Sequence, residues 1–150
     1  MPRRELINGL QVADWLASLG SQLKVQGNMT LIGSAALLWH AHDRHLQAEL
    51  PEASMDVDSI TDSDEVASYC YEALIGSEFE RTHGWHINLM PNSVLQEMPG
   101  GWTERAVRRQ IGNLNLLVPA PADLLAPKLK RNQPRDRAHA EWARSIGLLA

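Results

Sequence analysis

The stretch of this chain from residue 31 to residue 60 constrains its fold more than any other. It opens with a short apolar run that ends in Gly33-Ser34, and an apolar segment of helical character follows. Its last six residues include Asp56 and Asp58 among apolar side chains. This order predicts a strand that ends in a Gly-Ser turn, then a helix, then a second strand that carries two aspartates.

The residue types in this stretch indicate a metal-and-phosphate site. Successive side chains of a strand alternate between faces, so Asp56 and Asp58 lie on the same face with Cα atoms about 6.5–7 Å apart. Two such carboxylates can hold a hard divalent cation, and Mg²⁺ normally combines a few carboxylates with substrate phosphates. Gly33 allows a close backbone approach, and Ser34 lies where a helix begins with unpaired N–H groups that favour anions. Taken singly, a Gly-Ser pair is typical of a turn and Asp-x-Asp of a solvated strand end, but their combination favours a site.

Length and composition predict one domain over residues 1–150 that is soluble and cytoplasmic. The chain has 150 residues, which suits a single core. Its one cysteine, Cys70, cannot form an internal disulfide, and its tyrosine neighbours favour a buried thiol over a nucleophile. No apolar segment is long enough for a membrane span, so we expect no membrane partner.

Charge is divided unevenly along the chain. Residues 1–100 carry 5 basic and 14 acidic side chains, whereas residues 101–150 carry 9 and 4. A solvated surface explains much of this asymmetry, but the basic part can also hold phosphates. RNA binding through this part is a further hypothesis, which rests on Arg105, Arg108, Arg109, Lys130, Arg131 and Arg137.

Periodicity and turn residues predict an α+β chain with a mixed sheet flanked by helices. We expect helices over residues 4–23 (closed near Gly20), 35–42, 66–75, 122–130 and 136–146. We expect strands over residues 29–32, 55–60, 86–90, 103–111 and 114–118. Asp123 is expected to cap its helix, and Pro127 is tolerable only in the first turn or at a kink. The histidines at positions 40, 42 and 45 lack zinc-site spacing and are expected at a solvated helix end.

Two later segments complete a pattern that resembles a known family. Residues 121–129 read Pro-Ala-Asp-Leu-Leu-Ala-Pro-Lys-Leu, and Arg135-Asp136 opens the last helix. Together with Gly33-Ser34 and the Asp-x-Asp pair, they resemble small bacterial nucleotidyltransferase-like proteins of the polymerase-β superfamily. That group is akin to the minimal nucleotidyltransferases and to the toxin halves of abortive-infection toxin–antitoxin pairs.

The resemblance implies transfer of a nucleotidyl group from an NTP, with Mg²⁺, to a hydroxyl group of RNA or protein. By this analogy Gly33 and Ser34 hold the triphosphate, and Asp56 and Asp58 bind the metal. Lys128 would neutralise phosphate charge. Asp136 would complete the acidic cluster or fix Lys128. The implied partners are a nucleotide, an acceptor, and an antitoxin or a second copy of the chain.

One departure from the family pattern bears on activity. Related enzymes carry a third carboxylate, often the general base, on a later strand, where this chain has Asn88. Because an amide cannot act as a base, His86 or Asp136 substitutes, or metal alone activates the acceptor, or no chemistry occurs. In the last case the chain is a catalytically lapsed module that binds nucleotide or protein, and Trp85 and Trp102 are candidate interface residues.

Overall fold

The computed structural model describes residues 5–46 and 48–149, which form a five-stranded mixed sheet flanked by helices. This confirms the predicted α+β class. Along the chain the elements are α1 (Gly9–Gln22), β1 (Gly27–Ile32), α2 (Gly33–Asp43), β2 (Asp56–Ile60), α3 (Asp64–Tyr71), α4 (Glu78–His83), β3 (His86–Leu89), a 3₁₀ helix (Asn92–Glu97), α5 (Trp102–Arg105), β4 (Val107–Ile111), β5 (Leu114–Val118), α6 (Pro121–Arg131) and α7 (Pro134–Ser145).

The strand order is β3-β2-β1-β5-β4, with β1 at the centre. β1 runs antiparallel to β2 and parallel to β5, while β3 is parallel to β2 and β4 is antiparallel to β5. In this register Ile32 lies opposite Asp58, and Asp58 lies opposite Asn88. Directly opposed residues share a face, so these side chains project from the same side of the sheet.

Helices α1 and α2 pack against the other side of the sheet. Side chains from that side, such as Met29, Leu31 and Val57, are buried in the hydrophobic core with residues of α1 and α2. The opposite side, which we call the open face, carries exposed polar residues such as Asn28 and Gln110. An antiparallel pair with one dry and one wet face has this alternation. The register therefore places both aspartates of β2 on the open face.

Two glycines of α1 allow it to pack closely on its neighbours. A Cβ at Gly9 would collide with the backbone carbonyl of Leu38, and a Cβ at Gly20 would collide with that of Ile111. Gly20 was expected to close this helix, but α1 continues to Gln22. Gly20 instead allows α1 to lie close to β4. The helix begins at Gly9 because Asn8 and Gln11 form a capping box there.

Two other expectations about local structure are wrong, and a third is narrowed. Residues 102–105 form α5, so the strand predicted from residue 103 begins only at Val107, where Val118 supplies a partner. Pro127 lies beyond the first turn of α6, which leaves a kink as the remaining expectation for it. Asp123 does not cap α6, because it lies inside the first turn and its carboxylate pairs with Arg105 at 2.8 Å.

The burial of side chains contradicts the expected surroundings of His40 and Trp85 and agrees with those of Cys70. His40 is not at a solvated helix end: it is 1% exposed, and its Nε2 lies 2.6 Å from the carbonyl of Pro119. Trp85 is 3% exposed and packs edge-on against Phe79, so it belongs to the core and not to an interface. Cys70 is buried, and burial raises the pKa of its thiol to about 12, which agrees with an unreactive role. No helix within the described residues is long and apolar enough to cross a membrane.

The contact between α1 and β4 yields a stability prediction. We expect Gly20→Ala to destabilise the fold by about 1–3 kcal/mol, since the new methyl group must displace backbone at Ile111. Helix propensity alone favours alanine by roughly 1 kcal/mol, so the predicted sign is opposite to the local effect. Urea unfolding measures the change. Gly100→Ala is the control because a Cβ there meets nothing within 4 Å, and equal effects of the two changes would contradict the prediction.

Candidate functional site

The turn between β1 and α2 lies against the second aspartate of β2. Gly33 adopts a φ of +73°, which favours glycine, and a Cβ there would lie 2.8 Å from Oδ2 of Asp58. The contact follows from the sheet, because Ile32 and Asp58 are opposite each other in the β1–β2 pair. Gly33, Ser34 and the aspartates, which are separate in the sequence, therefore meet at one edge of the open face.

The two carboxylates are held by polar neighbours, and the negative charge of Asp56 acts on Asp58. Asn88 donates its Nδ2–H to Oδ1 of Asp58 at 3.1 Å, and Ser54 Oγ donates to Oδ1 of Asp56 at 3.2 Å. Burial, followed by the negative charge of Asp56, raises the pKa of Asp58, while Asn88 and Lys128 oppose the shift. The ionised pair is therefore unfavourable until a positive charge reaches it.

These residues fit a magnesium ion that shares its ligands with phosphates. Within the described parts of the chain, no group of three or more His, Cys, Asp or Glu side chains is placed to hold a metal. A closed cage of protein ligands is therefore absent from those parts. Two hard carboxylates on one strand face, both negative when ionised, are instead what an Mg²⁺ ion needs when substrate oxygens and water complete its coordination.

A cationic side chain lies beside the Gly-Ser turn. Lys128 in α6 donates from Nζ to Oγ of Ser34 at 3.3 Å, although 94 residues separate them. Its side chain is 11% exposed, and burial is the main cause that lowers its pKa, with Arg131 and Arg135 adding to the effect. Asp136 and Asp58 oppose that shift. A partly desolvated ammonium beside a helix N-terminus is an arrangement that attracts a phosphate group.

Asp136 makes contacts with cations and not with the aspartate pair. Its Oδ1 lies 2.9 Å from Arg131 and 3.9 Å from Nζ of Lys128. The side chain is 5% exposed, and its Oδ2 has no hydrogen-bond partner among the described residues. Of the two roles considered for Asp136, these contacts favour the one that fixes Lys128.

Sequence reasoning missed one residue of this cluster. His139 in α7 is fully buried, and its Nδ1 lies 3.2 Å from Oγ of Ser34. The only signal in the sequence was its position three residues after Asp136, which puts both on one helix face. Nothing local indicates that this face meets a turn 105 residues away.

The position of the third carboxylate is filled by an amide. Asn88 lies directly opposite Asp58 in the parallel β2–β3 pair and is already hydrogen-bonded to it. His86 lies opposite Asp56, and its Nδ1 is 2.7 Å from Oε2 of Glu80. Of the two candidate substitutes, His86 lies in the strand next to the pair, whereas Asp136 is held among cations.

The basic residues considered for RNA binding do not all project from one face of the sheet. Arg105, Arg109 and Arg131 pair with aspartates at 2.8–2.9 Å. Arg108 projects from the open face, whereas Arg109 projects from the other side of β4 and lies over the ring of Trp39. Adjacent strand residues point to opposite faces, so Arg108 and Arg109 lie on different sides of the sheet.

The comparison with family models agrees with this geometry. Residues 10–148 match a family described as "nucleotidyltransferase of unknown function (DUF6036)". No curated protein and no solved structure matches the chain. Because the match spans the strand, turn and helix that build the site, the chain belongs to this nucleotidyltransferase family.

Proposed function

We propose that this protein transfers a nucleotidyl group from an Mg²⁺-bound NTP to a hydroxyl group of an RNA or protein acceptor. The observation that supports it is the meeting of three parts: the Asp56/Asp58 pair, the Gly33-Ser34 turn, and Lys128 at 3.3 Å from Ser34 Oγ. Such transfer depends mainly on positioning and on stabilisation of phosphate charge. Metal ligands, a cation and a helix N-terminus are the parts that this chemistry requires.

Each residue has a role that follows from its contacts. The N-terminus of α2 and Lys128 bind the phosphate groups, and Asp136 keeps the Lys128 ammonium in place. Asp56 and Asp58 would hold Mg²⁺, which supplies charge neutralisation to the phosphates and to the acceptor oxygen when bound. In the transfer, the acceptor hydroxyl gives its proton to His86 or, where metal alone activates it, to solvent, and its oxygen bonds to the α-phosphorus. The bond from that phosphorus to the oxygen that bridges to the β-phosphate breaks, and pyrophosphate leaves with this oxygen.

A second candidate function is nucleotide binding without transfer. The observation that favours it is Asn88, which occupies the strand position next to Asp58 and cannot accept the acceptor's proton. His86 and direct activation by the metal are the two alternatives to a carboxylate base. A toxin role, which the family resemblance implies, is tested by whether a neighbouring gene encodes a protein that blocks the transfer.

Binding of nucleotide is the first expected outcome. Calorimetric titration with each of the four NTPs should show binding to the wild type that requires Mg²⁺. Binding should be lost in the Asp56→Ala/Asp58→Ala double variant, because the metal loses its protein ligands. Undiminished binding by the double variant would contradict the metal assignment.

Transfer itself separates the two candidate functions. With labelled NTP, Mg²⁺ and a cellular extract as the source of acceptor, we expect Asp56→Asn to lower labelling by about 100-fold or more. Asp62→Asn is the matched control, since Asp62 is exposed just beyond β2. Mg²⁺-dependent nucleotide binding with no labelling by the wild type would favour the lapsed module.

The same aspartates should affect stability in the opposite sense to activity, so that a substitution which removes a charge of the pair raises stability. The folded protein raises the pKa of Asp58 above the ordinary 3.8, so it binds more protons than the unfolded chain just above that pH. Ionisation of Asp58 therefore costs stability as pH rises above 3.8. We expect Asp58→Asn to raise Tm at pH 7 without Mg²⁺, with a gain that shrinks toward pH 3.8. A lower Tm for the variant at pH 7 would refute this account.

A further inference from the structure

His139 has hydrogen-bonding partners at both ring nitrogens. Its Nε2 lies 3.4 Å from the backbone carbonyl of Glu52, and its Nδ1 lies 3.2 Å from Oγ of Ser34. A carbonyl oxygen only accepts hydrogen bonds, so Nε2 must carry a proton. When the ring is neutral, Nδ1 is therefore an acceptor.

This tautomer fixes the direction of the Ser34 hydroxyl. A hydroxyl has one proton, and beside a neutral His139 that proton is donated to Nδ1. Lys128 donates to the same oxygen from Nζ at 3.3 Å. Ser34 consequently has no proton left for a phosphate oxygen, although it lies in the first turn of α2 where the phosphate is expected.

We propose that His139 takes up one proton from solvent when a triphosphate binds and thereby turns the Ser34 hydroxyl toward the phosphate. The new N–H bond forms at Nδ1, which then donates to Oγ of Ser34 and releases the hydroxyl proton to donate to the ligand. His139 is thus a positioning residue that acts through Ser34. The inference rests on the proposed nucleotide site.

The charges around His139 agree with such a change. Burial lowers its pKa, and Lys128 of α6 and Arg135 of α7 lower it further. Glu52, from the connection between α2 and β2, opposes them through its carbonyl and its charge. Asp136, one turn earlier on α7, is paired with Arg131 and lies near Lys128. A bound triphosphate offsets the positive charge of Lys128 and so favours the protonated ring.

Calorimetry in buffers of different ionisation enthalpy tests the proposal by counting the protons taken up per NTP bound. The probe is the Mg²⁺ complex of each of the four NTPs at pH 7. We expect net uptake by the wild type, and an affinity that weakens by up to about tenfold per pH unit above pH 7. His139→Asn keeps a polar atom near the Nδ1 position but cannot titrate, so uptake and pH dependence should both disappear.

The matched control is His45→Asn. His45 is exposed at the far end of α2 and has a φ of 60°, a conformation that asparagine adopts readily. This variant should take up as many protons as the wild type. Equal uptake by His139→Asn and wild type would overturn the proposal and leave the proposed function standing, whereas absence of NTP binding by the wild type would overturn both.

A measurement on the unmodified protein needs no variant to fold. Long-range ¹H–¹⁵N NMR spectra report which ring nitrogen of His139 carries a proton. We expect protonation at Nε2 alone in the free protein and at both nitrogens with Mg²⁺–NTP bound. A proton on Nδ1 in the free protein, or an unchanged ring on binding, would overturn the proposal.

Discussion

The antiparallel pairing of β1 with β2 is the constraint on which the site depends. It sets Ile32 opposite Asp58, and the residue after Ile32 is then in contact with the Asp58 carboxylate. Only a glycine fits there, because a Cβ would lie 2.8 Å from that carboxylate and the backbone has a positive φ. A shift of one residue in this register would turn both aspartates toward the helices and destroy the site.

Around this contact the protein holds charges that are unfavourable without a ligand. Burial and a like charge raise the pKa of Asp58, and burial lowers the pKa of Lys128. Each shift opposes the form that binds a metal or a phosphate. In the proposed function, a ligand that brings both Mg²⁺ and phosphate would relieve both, and part of its binding free energy would come from the unfavourable charges already present in the free protein. Function and stability therefore favour opposite substitutions at these positions.

The second group of contacts lies where α2, α6 and α7 meet. Ser34 begins α2, Lys128 comes from α6, and Asp136 and His139 come from one face of α7. Three helices thus converge on a single hydroxyl group. In our proposal the direction of its proton depends on the protonation state of one buried imidazole, which would link the occupancy of the phosphate site to the local proton balance.

The sequence by itself determined the local parts of this protein. Gly33-Ser34 after an apolar run, and Asp56 and Asp58 in alternation with core residues, predicted the strand, the turn and the shared face, because these depend on near neighbours. The sequence was misleading at Trp85, His40 and Asp123, where burial and partners far along the chain decide the environment. Tertiary structure alone brought His139 to Ser34, since no local periodicity encodes a contact between two elements 105 residues apart.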